Sequence, residues 1–353
     1  MRLLKAVFLH IILAAIILGS LALQAADQDW PLLKVSGVMI IMLSAFSVLS
    51  LVLWAKGAAI AREIRDRTMT WWWMVAVFLL AISTDRLAVM VLIGGISFMA
   101  LREYFGLLPN RGLASGRGWF RDRLSVWLCY AAIPMSIWLA YIKWYETFII
   151  LVPVYFFLLI PVVFVLQNRT SGTIRALGYI SIGLMFFVFC LGHGLFMVNL
   201  GGMVLLYCFF LTELRDLLSY WVGKGLNALG ERCPKSCFWS GVNAKIAPSV
   251  SPKKSWGAGL LTAGLIAGVS TAFVPLFPRF PDGVFDVPFA IVVGFMIGLL
   301  GLMGDLVFSM IKRDLGTKDS GTLLPGHGGM IDRVDSLVLT VPITFHLIFW
   351  RYF

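Results

Sequence analysis

Asp305, Ser309, Lys312 and Arg313 recur at i, i+4, i+7 and i+8, so on a helix they line one face with a carboxylate, a hydroxyl and two cations. Lys318 and Asp319 follow, and then Pro325-Gly326-His327-Gly328-Gly329 breaks the chain. Glycines there let backbone N–H groups approach a polyanion with no side chain in the way. Asp332, Arg333 and Asp335 come next, placing carboxylates near a helix start where a metal or a developing charge could be met. A second segment, 212–259, puts Glu213, Asp216, Tyr220 and Gly223 at i, i+3, i+7 and i+10 of one helix face. The competing reading is an ion pair of Glu213 or Asp216 with Arg215 or Lys224 at headgroup level. Farther on, Lys245, Lys253 and Lys254 stand with Ser251 and Ser255 in a loop of cations and hydroxyls suited to phosphate oxygens, although such loops beside membranes often serve only anionic lipid.

Asp216, Asp305, Asp332 and Asp335 are hard oxygen ligands of the kind that suits Mg²⁺, which commonly joins one or two protein oxygens to phosphates and water. Carboxylates, cations and a glycine turn together are what nucleotidyl transfer requires. No Ser-His-Asp arrangement is evident, and the four histidines lack zinc spacing. Of these, His10, His193 and His346 read as packing or interface residues.

The elements that must position these groups are membrane helices. A chain that is 60% hydrophobic and 13% charged has more apolar surface than one soluble core could hide. Apolar runs bounded by charges or Pro/Gly clusters predict spans near 6–24, 35–54, 71–83, 87–101, 124–142, 147–166, 176–196, 201–218, 257–277, 288–309 and 334–352. The third and fourth are short enough to be one bent hairpin around Thr84, Asp85 and Arg86. The segment from Arg2 to Gln24 resembles a signal peptide but has too long an apolar run and a poor cleavage site, and it reads as a retained first span. Alternate connections collect 24 of the 29 Lys and Arg residues on one face, which makes that face cytoplasmic. The +11 formal charge is therefore first of all a topology signal. Five scattered cysteines imply no disulfide framework, and Cys233 with Cys237 is weak evidence for zinc.

The motifs themselves resemble a known family. Ser309-Met-Ile-Lys312-Arg313, then Lys318-Asp319-Ser-Gly321, then Leu324-Pro325-Gly-His327-Gly328-Gly329-Met-Ile-Asp332-Arg333-Val-Asp335 looks like the full signature of the phosphatidate cytidylyltransferase (CDP-diacylglycerol synthase) family. Asp216, Tyr220, Gly223 and Lys224 match its Asp-x-x-Ala-Tyr-x-x-Gly-Lys pattern. Lys245 to Trp256 match Lys-x-Ala-Pro-x-x-Ser-Pro-x-Lys-Thr-Trp, and Ala100-Leu-Arg-Glu103 matches an early Ala-x-x-Glu position more weakly. The chain departs at Ser219 (usually Ala), Ser255 (usually Thr) and Gly257 (commonly Glu or Gln), and it carries an insertion at 225–244.

The apolar runs and the resemblance together imply an all-α, polytopic integral membrane protein of about eleven transmembrane helices: a two-helix extension over 1–65, outside the resemblance, and a nine-span catalytic domain over 66–353. It implies transfer of CMP from CTP to phosphatidate, giving CDP-diacylglycerol and pyrophosphate, at the cytoplasmic face of a bacterial inner membrane. Asp305 and Asp332 would hold Mg²⁺, with room for a second cation, and Asp216, Asp319 and Asp335 would act as further ligands or orienters. Lys254, Lys312, Arg313, Lys318 and Arg333 would neutralise phosphates, the His327-Gly328-Gly329 turn would seat one, and Lys245, Ser251, Ser255 and Ser309 would contact substrate. CTP, phosphatidate or a similar lipid phosphate and membrane lipids are the expected partners; a homodimer is compatible, and nucleic acid is not expected. Two alternatives stay open: a different lipid phosphate, such as an isoprenoid ether phosphate, or a non-catalytic relative that binds or transports anionic lipid.

Overall fold

The computed structural model describes residues 2–56, 61–108, 123–232, 241–277, 279–321 and 328–353, and among these the regular elements are all helices, with no strand. The order is α1 (Arg2–Ala26), α2 (Trp30–Ala55), α3 (Ala61–Thr84), α4 (Arg86–Leu107), α5 (Arg123–Tyr141), α6 (Tyr145–Leu166), α7 (Thr173–Leu200), α8 (Gly202–Arg232), α9 (Trp256–Thr271), α10 (Val287–Asp314), α11 (Ile331–Val334) and α12 (Leu337–Tyr352). With α11 and α12 taken as one interrupted helix, eleven helical units among the described residues cover the eleven predicted apolar runs. Eight are long and apolar enough to cross a bilayer, and Ile11–Ala26 is a shorter apolar stretch. Helices α3 and α8 carry charge over part of their length.

The ambiguous 71–101 region is two helices. Asp85 adopts extended backbone and its carboxylate accepts from the Leu87 N–H at 3.2 Å, so it ends one span and caps the next. Asp29 caps α2 in the same way through Leu32 N–H, with Pro31 where a missing donor costs nothing. Each such cap contributes about 1 kcal/mol.

Helix α3 faces two ways. Ala76 meets Leu13 and Ile17 of α1, while Val75 and Leu79 meet Leu43 of α2. Two polar ties add to this: Trp72 Nε1 donates to Ser47 Oγ at 2.9 Å, and Gln24 Nε2 to Ser83 Oγ at 2.9 Å. The N-terminal hairpin thus rests on a helix in which residue 65 falls near the start.

A second, larger core joins α4 through α12 and takes in Leu32 and Val35 of α2 and Ala81 of α3. Helices α6 and α7 each widen into a π-helical stretch, Leu151–Phe156 and Leu184–Cys190, and these lie against each other. At the centre α10 packs on α9, α8 and α12. Gly294 and Gly298 make the α9 contact possible, because a methyl group at Gly298 would sit 2.5 Å from the Ala263 Cα.

The helix ends remote from the motif residues close with aromatic and polar contacts. Arg86 donates to Asn199 Oδ1 at 3.1 Å and lies over the Tyr141 ring, and Arg351 pairs with Asp286 at 2.9 Å. Asp286 caps α10 through Phe289 N–H, and that bond, with Arg351, holds its carboxyl below the usual carboxylate range.

Candidate active site

At the opposite end, α8, the 244–255 loop, the last turns of α10 and residues 317–321 and 328–336 converge. The loop is short and pinned by its backbone. Lys245 and Ser255 form an antiparallel bridge, Ile246 N–H donates to Lys254 C=O at 3.2 Å, and Trp256 N–H to Ala244 C=O at 3.0 Å. Those bonds place Lys254 against α10, where its ammonium pairs with Asp305. Ser309, one turn on, donates to the other Asp305 oxygen at 3.3 Å.

The second pair lies beside the first. Lys312 Nζ meets Asp332 Oδ1 at 2.6 Å, both side chains largely buried. The remaining Asp332 oxygen accepts three bonds: from Ser320 N–H at 3.2 Å, Ser320 Oγ at 2.8 Å and Gly329 N–H at 3.1 Å. Asp332 is thereby the knot that ties the chain on both sides of the glycine turn to the end of α10. Gly328, with φ +79°, stands so close to this carboxylate that a Cβ would lie 2.5 Å from it.

Behind these pairs is a third group. Asp216 pairs with Arg215, which is only 1% exposed, and accepts from Ser336 Oγ at 3.2 Å. Asp335 is buried, accepts the Ser336 N–H at 2.7 Å, and lies near enough to Asp305, Asp216, Lys312 and Arg333 to feel their charge. Glu213 is likewise within electrostatic reach of Asp216 and Arg333. The ion-pair reading of Asp216 with Arg215 is therefore correct as far as it goes, yet the pair faces the other carboxylates rather than headgroups. Gly304 lets α10 approach this corner, since any Cβ there would overlap the Asp335 carbonyl oxygen.

Not every expected residue joins the cluster. Ser255 is buried, and its hydroxyl accepts from Ala258 N–H at 3.4 Å as the cap of α9. Lys245, Arg313, Lys318 and Asp319 are exposed; Arg313 reaches the Thr317 carbonyl at 3.5 Å, and the Asp319 carbonyl takes the Thr317 hydroxyl. Ser251 forms a turn through its N–H to Ala247 C=O. Tyr220 is exposed and packs edge-on against Trp221. His327, Cys233 and Cys237 lie outside the described residues. Three residues that the motif reading gave no role are central: Ser320, which donates twice to Asp332, Ser336, whose hydroxyl lies between Asp216 and Asp335, and Glu103, which accepts from Met330 and Ile331 N–H at 2.7 and 3.3 Å. The only signals were the serine inside Lys318-Asp319-Ser-Gly321 and the weak Ala100-to-Glu103 match.

The Gly257 departure has a steric cause. A Cβ there would lie 2.6 Å from the Val242 carbonyl oxygen, so the end of the 225–244 insertion takes the space a longer side chain would need.

Among the described residues no three His, Cys, Asp or Glu side chains form a self-sufficient metal cage. The donor set still fits Mg²⁺. Asp305 is 30% exposed, Asp216 and Asp335 stand within electrostatic reach of it, and Mg²⁺ takes few protein oxygens when a nucleotide supplies the rest. Asp332 fits on condition that it exchanges a present partner, since both its oxygens are engaged.

Comparison with known proteins adds the following. Residues 65–351 match the model of the cytidylyltransferase family. The chain is 33% identical over 309 residues to the "Uncharacterized protein YnbB" of Escherichia coli K12, covering 84% of this chain and 91% of that one. It is 39% identical over 107 residues to a phosphatidate cytidylyltransferase of Rickettsia felis, and 35% over 162 residues to one of Haemophilus influenzae. These last two matches span about half the length of each relative, 47% in both cases.

Proposed function

The chain belongs to the cytidylyltransferase family, and from that premise we propose that it joins the phosphate of a membrane lipid, phosphatidate in the first instance, to the cytidylyl group of CTP. The observation that carries this reading is the pair of lysine–carboxylate contacts, Lys254 with Asp305 and Lys312 with Asp332, at neighbouring helix ends inside the matched region.

The reaction is attack by a lipid phosphate oxygen on the α-phosphorus of CTP, with pyrophosphate leaving. A phosphomonoester's second pKa is about 6, so the nucleophile is largely dianionic at neutral pH and no strong base is required. Bringing two polyanions together is the difficulty, and fixed cations aimed at the phosphates address it. Lys254 and Lys312 are the groups placed to move from carboxylate to phosphate oxygens, with Arg333, within electrostatic reach of Asp335 and Glu213, beside them. Mg²⁺ held at Asp305 and Asp332 would neutralise triphosphate oxygens as negative charge shifts to the leaving group. Asp216 and Asp335 would orient that centre through Ser336, and the Gly329 N–H, which now donates to Asp332, would meet a phosphate by leaving that carboxylate, as Lys312 would. The proposed setting is the cytoplasmic face of a bacterial inner membrane.

The test is protein purified in detergent with labelled CTP and a panel of lipid phosphates: phosphatidate, an isoprenoid ether phosphate and no acceptor. Magnesium-dependent label in CDP-diacylglycerol is the expected result. Label only in the isoprenoid product would move the acceptor, and no CTP turnover with any lipid would leave an anionic-lipid binder.

A further inference from the structure

Glu103 lies on α4, outside both motif segments, yet its carboxylate reaches across the fold to the start of α11. It accepts from Met330 N–H at 2.7 Å and Ile331 N–H at 3.3 Å, residues more than two hundred positions away. These are first-turn donors that a helix leaves without internal partners, and an anion is the strongest acceptor for them. The approach is close: a Cβ on Gly329 would overlap both Glu103 Oε1 and Ser320 Oγ, and one on Gly321 would lie 3.2 Å from the same carboxylate. Glu103 therefore touches both strands of the chain that hold Asp332. On one side stands Gly321, next to Ser320, which donates twice to Asp332. On the other stands Gly329, whose N–H donates to Asp332 as well.

We propose that Glu103 is a positioning residue for the transfer reaction: it fixes the backbone at 329–331 and through it the Asp332 carboxylate. This rests on the reading of the site as a cytidylyltransferase centre. A neutral or shortened side chain leaves Met330 and Ile331 N–H short of an acceptor, and the segment then samples other positions. Misplacement of about an ångström in a group that orients reactants costs up to about 100-fold in rate. The loss belongs in kcat, because Lys254 and the 244–255 loop that meet the phosphates from the other side do not touch Glu103.

Two measurements on the full-length protein in detergent decide it, using Glu103→Ala and Glu103→Gln. The first is hydrogen exchange of the peptide containing Met330 and Ile331, which needs no turnover. About tenfold faster exchange in Glu103→Ala, and a smaller increase in Glu103→Gln, whose amide oxygen still accepts one bond, is expected. The second is cytidylyl transfer: kcat lower by about 10- to 100-fold in Glu103→Ala, with KM for CTP within about threefold and partial recovery in Glu103→Gln. Unchanged exchange in Glu103→Ala overturns the proposal, as does wild-type kcat, or a Gln variant no better than Ala. Absence of transfer in the wild-type protein would overturn the functional reading instead, and the exchange comparison would still settle whether Glu103 holds the segment.

Discussion

The span made by α11 and α12 runs between two polar regions of opposite character. At its start Asp332 and Asp335 meet Lys312 and Ser320 from other segments, the adjacent Ser336, and the neighbourhood of Asp216 and Asp305. Near its end His346 meets His193 and Tyr145 among the rings of Phe148, Phe196 and Phe345. There each histidine spends one ring nitrogen on a carbonyl of its own helix, His193 on Phe189 and His346 on Pro342. Tyr145 takes the second His346 nitrogen at 2.7 Å. Three of the four histidine nitrogens at the aromatic end find partners there, and His193 Nε2 is buried without one. At the carboxylate end Asp305 and Asp332 are each paired with a lysine from another segment, an arrangement that can be exchanged for a substrate.

The largest expected effect tests that contrast directly. Asp305→Asn and Asp332→Asn should each lower cytidylyl transfer by about 100-fold or more, roughly 2.7 kcal/mol of transition-state stabilisation, with little change in membrane insertion. Chelation of divalent ions should abolish activity and Mg²⁺ restore it; turnover that survives either change would move the chemistry onto the Lys and Arg residues alone. Arg215→Met comes next. Removing the buried cation beside Asp216 leaves like charges facing one another, and a loss of about tenfold in kcat, or 1.4 kcal/mol, is expected by the same assay, with a lower thermal midpoint. At the aromatic end His346→Phe gives up the Tyr145 bond and should cost about 1 kcal/mol of stability in a thermal-unfolding series, while transfer stays within about twofold. An equal loss of activity there would mean the two regions are not functionally separate. Least of all, Asp66→Asn, which breaks an exposed contact with Arg65 at 3.1 Å, should change stability by less than about 0.5 kcal/mol.

Much of the architecture was legible in the sequence because apolar run length is a direct consequence of bilayer thickness. Where runs were short, as at 71–101, the deciding residue was Asp85, and its capping role could have been read from its place before Arg86-Leu87. The π-helical stretches left no such mark, since one widened turn inside Leu151–Phe156 or Leu184–Cys190 changes neither length nor polarity. Motif spacing identified Asp305, Lys312 and Asp332 as neighbours, and it could not say that each carboxylate would stand with its own lysine. Ser255 was misleading for a physical reason: one hydroxyl before a helix serves equally as a cap or a phosphate ligand, and burial decides between them. Glu103 was marked only by the weak Ala100-to-Glu103 match, and its role was not legible, because its partners are backbone N–H groups, which every sequence contains.

The absent side chain at Gly304 has a consequence of its own. The α10 backbone touches the Asp335 carbonyl there, one residue before Asp305, so the gauge between the two carboxylate-bearing helices is set by a hydrogen atom. Alanine at this position would act as a wedge one methyl group thick, spreading the site while leaving every charge, ligand and hydroxyl in place. Chemistry of this kind is tuned by spacing as much as by composition, and in this chain the spacing is written in a residue that has nothing to react.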